Sequence, residues 1–301
     1  TNIHYFCILL RCCFHSSEMY IDQKVYKAQS INIKGKLFHF DTPKIMGIIN
    51  LSHDSFYEND SETSVKDILV KIQFFIENGA EIIDIGGVST KPGSRLPNIK
   101  EETNRVIPII KKIRAKFPNI IISVDTVRSS VASEAILSGA DIINDVSGGY
   151  GDKKMFETLK KYRCPYILTH NIKKSINNDK LESESVIKEV IRFFSKKIKE
   201  LKSYGVYDII IDPGFGFSKS LEQNYELINY FEMLHVLHTP ILVGISRKSM
   251  IYDTIKAKPN DSLIGTSIMH SFLISRNASV FRVHDVKEIK EVKMLWKASY
   301  Y

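Results

Sequence analysis

The chain has 301 residues, 44% of them hydrophobic and 25% charged, the balance of a folded globular protein rather than a disordered or fibrous one. That length can bury a large core within one domain. The formal net charge of +8 and pI of about 9.1 suit a small anionic ligand or a nucleic acid, but the lysines scatter along helix-like stretches such as Ser195-Lys-Lys-Ile-Lys-Glu-Leu-Lys202. That is the pattern of a solvated face, and with no basic arm or aromatic interleaving, no nucleic-acid partner is expected.

Four cysteines occur, Cys7, Cys12, Cys13 and Cys164. Their spacing offers neither a disulfide framework nor a zinc site, and a reducing, cytoplasmic compartment is expected. The apolar stretch Tyr5-Phe-Cys-Ile-Leu-Leu10 is too short to span a bilayer, and it lacks the flanks of a signal peptide. No membrane partner is expected. Residues 1–18 read as a disordered or non-native extension, with Met19 as a natural start.

Residues 19–42 form an N-terminal segment in which Ile31–Phe40 reads as a hairpin turning at Lys34-Gly35, its apolar side chains placed to close the floor of the domain beyond it. From residue 43 to 301 a rhythm runs without a break. Strand-like apolar runs fall at Ile45–Ile49, Ile82–Ile85, Ile120–Val124, Asp141–Ile143, Tyr166–Leu168, Ile209–Ile211, Ile241–Val243 and Ser279–Phe281. Helical patterns alternate with them. The first is Val65, Ile68, Leu69, Ile72, Phe75 and Ile76, with Ser64 as its cap and Asn78-Gly79 as its stop. The others are Glu101–Lys116, Ser129–Leu137, Lys153–Lys161, Glu184–Tyr204, Leu221–Leu234, Pro259–Ile274 and Val286–Leu295. This alternation predicts an α/β fold, a single (β/α)8 TIM barrel. A doubly wound sheet is the alternative, disfavoured by the near-equal repeats and the lack of a dinucleotide fingerprint.

Chemistry in such a barrel gathers where strands end. Those positions hold Asn50, Asp84, Asp125, Asn144, His170, Asp212, Ser246 with Lys248, and Arg282 with His284. Any one of them could be a helix cap or a turn former; a polar group at every strand end points to a shared site. By charge they divide in two. Asp125, Asn144 and Asp212 suit a planar heterocycle edge rich in N–H donors. Lys248, Arg282 and His284 suit a phosphate or pyrophosphate, and Asn50 offers a hard oxygen where Mg²⁺ could bridge to it. The layout is that of a transferase expelling a phosphate group.

Several stretches carry a resemblance: Ile45-Met-Gly-Ile-Ile-Asn-Leu-Ser-His-Asp-Ser-Phe56, Ile83-Asp-Ile-Gly-Gly-Val-Ser-Thr-Lys-Pro-Gly93, Ser123-Val-Asp-Thr126, Ile142-Ile-Asn-Asp-Val-Ser-Gly-Gly149, Asp212-Pro-Gly-Phe-Gly-Phe217, Gly244-Ile-Ser-Arg-Lys-Ser249 and Arg282-Val-His-Asp285. In this order they resemble the dihydropteroate synthases of folate biosynthesis. The resemblance implies condensation of 6-hydroxymethyl-7,8-dihydropterin pyrophosphate with 4-aminobenzoate, releasing pyrophosphate and 7,8-dihydropteroate. It further implies that Asp125, Asn144, Asp212 and Lys248 hold the pterin, with Phe217 among the substrate-binding residues. Asn50 would bind Mg²⁺ with the pyrophosphate, Arg282 and His284 would grip its oxygens, and Thr90, Lys91 and Ser246 would lie near it and the aminobenzoate carboxylate. Asp54, and with it Glu58, would contribute from the first loop, and a homodimer is implied. The family's pyrophosphate leaves first, giving a resonance-stabilised pterin cation that the aniline nitrogen attacks.

The chain departs from the family pattern at Ser52-His53, where Thr-Pro is usual, at Val88 and Lys91, where Glu and Arg are common, and at Thr169-His170-Asn171, where Met-His-Met is frequent. The last change is expected to make that wall of the pterin pocket more polar. None of the pterin-binding or cationic positions is lost, so an active enzyme is expected. Two other readings are a corrinoid-dependent methyltransferase barrel and a degenerate barrel kept for binding. Ser246-Arg-Lys248 and Arg282-Val-His284 argue against the first, and retention of Asn50, Asp125, Asp212 and Lys248 against the second.

Overall fold

The computed structural model describes residues 29–51, 62–88, 97–171 and 185–299, with side chains from residue 65 onward in the helix that begins at Glu62. The extension expected at residues 1–18 falls outside these, as do Ser52, His53, Asp54, Glu58, Thr90 and Lys91.

A hairpin comes first, β1 (Ser30–Ile33) and β2 (Lys36–His39), paired antiparallel about the expected turn. Both turn residues, Lys34 and Gly35, have positive φ (50° and 88°), the geometry that matches strand twist in a two-residue turn. Eight parallel strands come next: β3 (Lys44–Asn50), β4 (Ile82–Gly86), β5 (Ile121–Asp125), β6 (Ile142–Asp145), β7 (Tyr166–Thr169), β8 (Ile209–Asp212), β9 (Leu242–Val243) and β10 (Val280–Val283). Their order in the sheet is β8-β7-β6-β5-β4-β3-β10-β9. A parallel bridge from Ile211 to Ile241, with the Ile211 amide donating to the Pro240 carbonyl at 2.9 Å, joins the two ends. The sheet is therefore a closed barrel, and the doubly wound alternative is excluded.

The helices are α1 (Glu62–Glu77), α2 (Ile99–Lys116), α3 (Ser129–Leu137), α4 (Met155–Tyr162), α5 (Val186–Ser203), α6 (Leu221–Asn229), α7 (Ser249–Tyr252), α8 (Leu263–Ser275) and α9 (Val286–Ala298). Most expected bounds hold to within two residues, and the exceptions have physical causes. Ser64 lies inside α1 rather than capping it. Helix α2 starts before Glu101 because Asn98 and Glu101 form a reciprocal capping box. The stretch expected as one helix over Leu221–Leu234 breaks after Asn229 into a 3₁₀ helix, Phe231–Leu237. Phe231, Leu234 and Leu237 recur every three residues, the period of a 3₁₀ turn. Pro259 likewise opens a 3₁₀ turn and not α8 itself. The strand expected at Asp141–Ile143 runs instead from Ile142 to Asp145.

Alternation along each strand sorts the side chains between the interior and the helix layer. The outward set, including Ile45, Ile49, Ile83, Ile85, Ile122, Val124, Ile143, Leu168, Ile211 and Phe281, packs against the helices in the larger core cluster. The inward set begins at the floor with Met46, Ile82, Ile142, Ile167, Ile210, Leu242 and Val280, which form one cluster with Ile31 and Ile33 of the hairpin, Phe38 and Phe40 packing beside them. The hairpin thus plugs the barrel floor, as its sequence predicts. Polar ties fix it there: the Asn32 amide donates to Asp208 at 2.7 Å, and Lys34 pairs with Asp141 at 2.5 Å.

Ile31 is 2% exposed beneath the barrel, so Ile31→Ala should cost about 2–4 kcal/mol of stability by leaving a cavity there. Chemical denaturation checks this, and an unchanged midpoint would mean that the hairpin does not support the barrel.

Candidate active site

Above the apolar floor the same inward alternation turns polar. Two residues up each strand stand Ile48, Asp84, Ser123, Asn144, Thr169, Asp212, Gly244 and Arg282, and above those come Asn50, Asp125, Val146, Ser246 and His284. A cavity of about 210 Å³ opens among them, lined by Ile48, Asn50, Asp125, Asn144, Val146, Asp212, Phe217, Gly244, Ser246, Arg247, Lys248, Arg282 and His284. Nine of the expected site residues therefore meet at one mouth: Asn50, Asp125, Asn144, Asp212, Phe217, Ser246, Lys248, Arg282 and His284.

Three expectations are corrected. His170 is outside the cavity: the inward residue on β7 is its neighbour Thr169, and the His170 ring packs between Phe193 and Phe194, with centroids 4.9 and 6.3 Å away. Burial, and then the charge of Lys219, pushes its pKa down to about 3. Nor do the acidic and cationic groups form two separate ends. Arg282 sits between carboxylates, donating from Nε to Asp84 at 2.7 Å and from Nη2 to Asp125 at 3.1 Å. His284 is also not a standing cation, because burial and the adjacent Arg282 lower its pKa to about 4.

Asp84, already visible at a strand end but given no role there, is the hub beneath the cavity. It is fully buried and accepts from Ser123 Oγ at 2.6 Å, from Asn144 Nδ2 at 3.1 Å and from Arg282 Nε. Asn144 then has its amide nitrogen turned to Asp84 and its carbonyl oxygen buried without a partner. The Thr169 hydroxyl is also buried and unpartnered, but none of Thr169, His170 and Asn171 is among the residues lining the cavity, so the more polar wall expected from them is not seen there. Burial raises the pKa of Asp125 to about 7 and drives that of Asp212 up as well; Arg282 opposes the first shift, and Lys248 the second.

Loops carry the remaining groups and are held by side chains. After β8, the Gly214 amide donates to Asp212 Oδ1 at 2.8 Å. Gly214 has φ of 71°, and a Cβ there would collide with the His170 carbonyl oxygen, so no other residue fits. Lys219 collects the carbonyls of His170, Gly214 and Phe217 at 3.2, 2.9 and 3.1 Å. Lys248 reaches in from the loop after β9, donates to the Phe215 carbonyl, and lies 4.3 Å from the centroid of the Phe217 ring. Burial brings its pKa down to about 8, against the pull of Asp212. Arg247, at φ of 55°, forks onto Asp285 at 2.9 and 2.5 Å. That fork ties the loop after β9 to the one after β10 and brings Ser246 Oγ to 3.1 Å from His284 Nδ1. Because Ser246 Oγ already accepts from the His284 amide at 3.3 Å, its own hydrogen can serve Nδ1, leaving Nε2–H to face a ligand. Sequence reasoning assigns no role to Lys219, Arg247 or Asp285. All three stand inside the quoted motifs or within two residues of them.

A single hard oxygen, Asn50 Oδ1, stands at the wall. It lies 3.6 Å, and Asp125 Oδ2 3.9 Å, from the point a Cβ on Gly86 would occupy, so glycine leaves a niche between two oxygens. Among the described residues no group of three or more His, Cys, Asp or Glu gathers around an ion. One or two protein oxygens fit a Mg²⁺ that takes its other ligands from substrate phosphate and water, and do not fit a resident, fully caged ion.

Known proteins resemble this chain in sequence and fold. A family model described as pterin binding enzyme matches residues 46–284. The dihydropteroate synthase of Streptococcus pyogenes is 37% identical over 264 residues, covering 86% of this chain and 96% of that one. The folic acid synthesis protein fol1 of Pneumocystis carinii is 37% identical over 92% of this chain, which spans only 39% of that longer protein. Among solved structures, Xanthomonas albilineans dihydropteroate synthase with 4-aminobenzoic acid superposes with a TM-score of 0.82 at 32% identity, covering 91% of this chain and 99% of that one. With the family match over residues 46–284, 37% identity over most of both chains and a shared fold, the chain belongs to the dihydropteroate synthase family of pterin-binding transferases.

Proposed function

We propose that this chain condenses 6-hydroxymethyl-7,8-dihydropterin pyrophosphate with 4-aminobenzoate, yielding 7,8-dihydropteroate and pyrophosphate. The observation that carries the reading is the unpartnered Asn144 carbonyl beside Asp125 and Asp212 at the base of a polar cavity. A buried acceptor set of this kind is costly unless a donor-rich ligand edge completes it. The pterin edge is that ligand, with Lys248 and Phe217 against it.

The pyrophosphate then lies toward Arg282, the Nε2–H of His284, Ser246 and Asn50. Of the five N–H groups on Arg282, two are engaged by Asp84 and Asp125, leaving three for phosphate oxygens. Asn50 would hold Mg²⁺ through one oxygen, and the ion when bound would screen the charge of the departing group. As pyrophosphate leaves, the pterin carries positive charge, and Asp125 and Asp212 stabilise it from below. The aniline nitrogen attacks that cation, so no enzyme nucleophile is required. Thr90, Lys91 and Asp54, outside the described residues, belong to the same proposal. The described residues on either side of 89–96 are held by two ties: Arg105 donates to the Gly87 carbonyl at 3.1 Å and Arg128 to that of Pro97 at 2.6 Å.

The proposal includes a cytoplasmic homodimer. No helix among the described residues is long and apolar enough to cross a membrane. Ile264, Ile268 and Phe272 are at least half exposed along one stripe of α8, with Met294 and Leu295 exposed on the neighbouring α9. Exposed apolar side chains on two packed helices suit a second copy of the chain.

Turnover, read as pyrophosphate release, should require both substrates and Mg²⁺, and Lys248→Ala should lower kcat/KM about 100-fold. Turnover that proceeds without 4-aminobenzoate would overturn the reading. The pH profile should be bell-shaped. Asp125 offers both oxygens as charged acceptors only when ionised, so activity falls as pH drops through about 7; Lys248 holds the pterin as a charged donor only when protonated, so it also falls as pH rises through about 8. Asp125→Asn should remove the acid limb and Lys248→Arg should move the alkaline limb upward, whereas a flat profile would contradict both roles. Ile268→Lys should leave a folded monomer in sedimentation, and an unchanged dimer would put the interface elsewhere.

A further inference from the structure

One carboxylate joins the two halves of the proposed site. Asp84 is fully buried and is not among the residues lining the cavity. Its Oδ2 accepts from both Asn144 Nδ2 at 3.1 Å and Arg282 Nε at 2.7 Å, while Oδ1 accepts from Ser123 Oγ at 2.6 Å. An ionised carboxylate can only accept, so every neighbour must turn a donor toward it. For Asn144 the consequence is directional. With its NH₂ committed to Asp84, the amide must show its carbonyl to the cavity, and that oxygen is the one left buried without a partner. For Arg282 the consequence is placement: Nε is pinned, and the Nη groups fan out toward Asp125 and the mouth.

We infer that Asp84 is a positioning residue that sets the donor–acceptor polarity of the pterin pocket and couples it to the anion-binding arginine. It fixes Asn144 as an acceptor and Arg282 as a donor from a single buried point. The inference rests on the pterin pyrophosphate reading of the cavity.

Asp84→Asn tests it. An amide at this position can itself donate, so the Asn144 side chain is free to flip and present NH₂ to the ligand. Wild-type protein should bind dihydropterin better than analogues in which an N–H of the pterin edge is removed, by about 10- to 100-fold for the N–H that meets Asn144. Asp84→Asn should bind dihydropterin at least tenfold more weakly and lose most of that discrimination. In a double-mutant cycle, Asn144→Ala should cost little once Asp84 is already replaced. Thermal melting accompanies each measurement. Should Asp84→Asn fail to fold, Ser123→Ala keeps the carboxylate but frees its Oδ1, and should show the same loss of discrimination in weaker form. Discrimination retained in a folded Asp84→Asn protein, or effects that multiply in the cycle, would overturn the inference. Wild-type protein that does not distinguish the analogues would instead count against the pterin reading itself.

Discussion

Arg282 lies inside the barrel between two carboxylates, and the upper half of the interior is arranged to make that tolerable. Asp84 is fully buried and the Asp125 side chain is only 14% exposed, and carboxylates placed there without a cation within hydrogen-bond reach would be costly. The guanidinium answers both, and Ser123 and Asn144 satisfy the remaining capacity of Asp84. Such a triad contributes little net stability compared with apolar packing. Its value is geometric, since a fully bonded network in a low-dielectric interior has one arrangement and holds its outward-facing donors and acceptors still.

Stability comes from elsewhere in the same strands. The inward residues below the triad are apolar and close on the hairpin, and the outward residues pack beneath the helices. Each strand therefore holds two apolar environments and a polar one, and the alternation of two residues per repeat decides which side chain meets which. On β7 this matters directly: Thr169 faces inward and His170 outward, although both stand at the strand end and His170 is the more chemically suggestive residue. A neutral, buried imidazole among phenylalanines belongs to the core.

Much of this was legible in the sequence. Apolar runs separated by helix-period patterns pointed to the barrel, Lys34-Gly35 to the hairpin turn, and a polar residue at each strand end to the site. The parts that were not legible share a cause. Charge suggested two separate sets, but only the closed ring places Arg282 of the last strand beside Asp84 and Asp125 of the second and third barrel strands. Asp84 reads as one more strand-end acid until the period-two alternation is carried across adjacent strands, which puts it level with Ser123, Asn144 and Arg282. The loop clamps were hidden for a different reason. Lys219 gathers three carbonyls and Arg247 forks onto Asp285, and long side chains of this kind show no periodicity that would reveal their partners. His284 was read as a cation from residue type alone; burial decides otherwise.

On the proposed reading, the acceptor set takes the N–H edge of a pterin and the arginine beside it takes the leaving group. The most direct measurement is a crystal structure of the protein with dihydropterin pyrophosphate bound. It should show the pterin edge on Asp125, Asn144 and Asp212, the Asn144 carbonyl accepting an N–H, and Arg282 still paired with Asp84 while its free Nη groups meet phosphate. A pterin lodged outside the barrel, or an Asn144 carbonyl still without a donor in the complex, would contradict it.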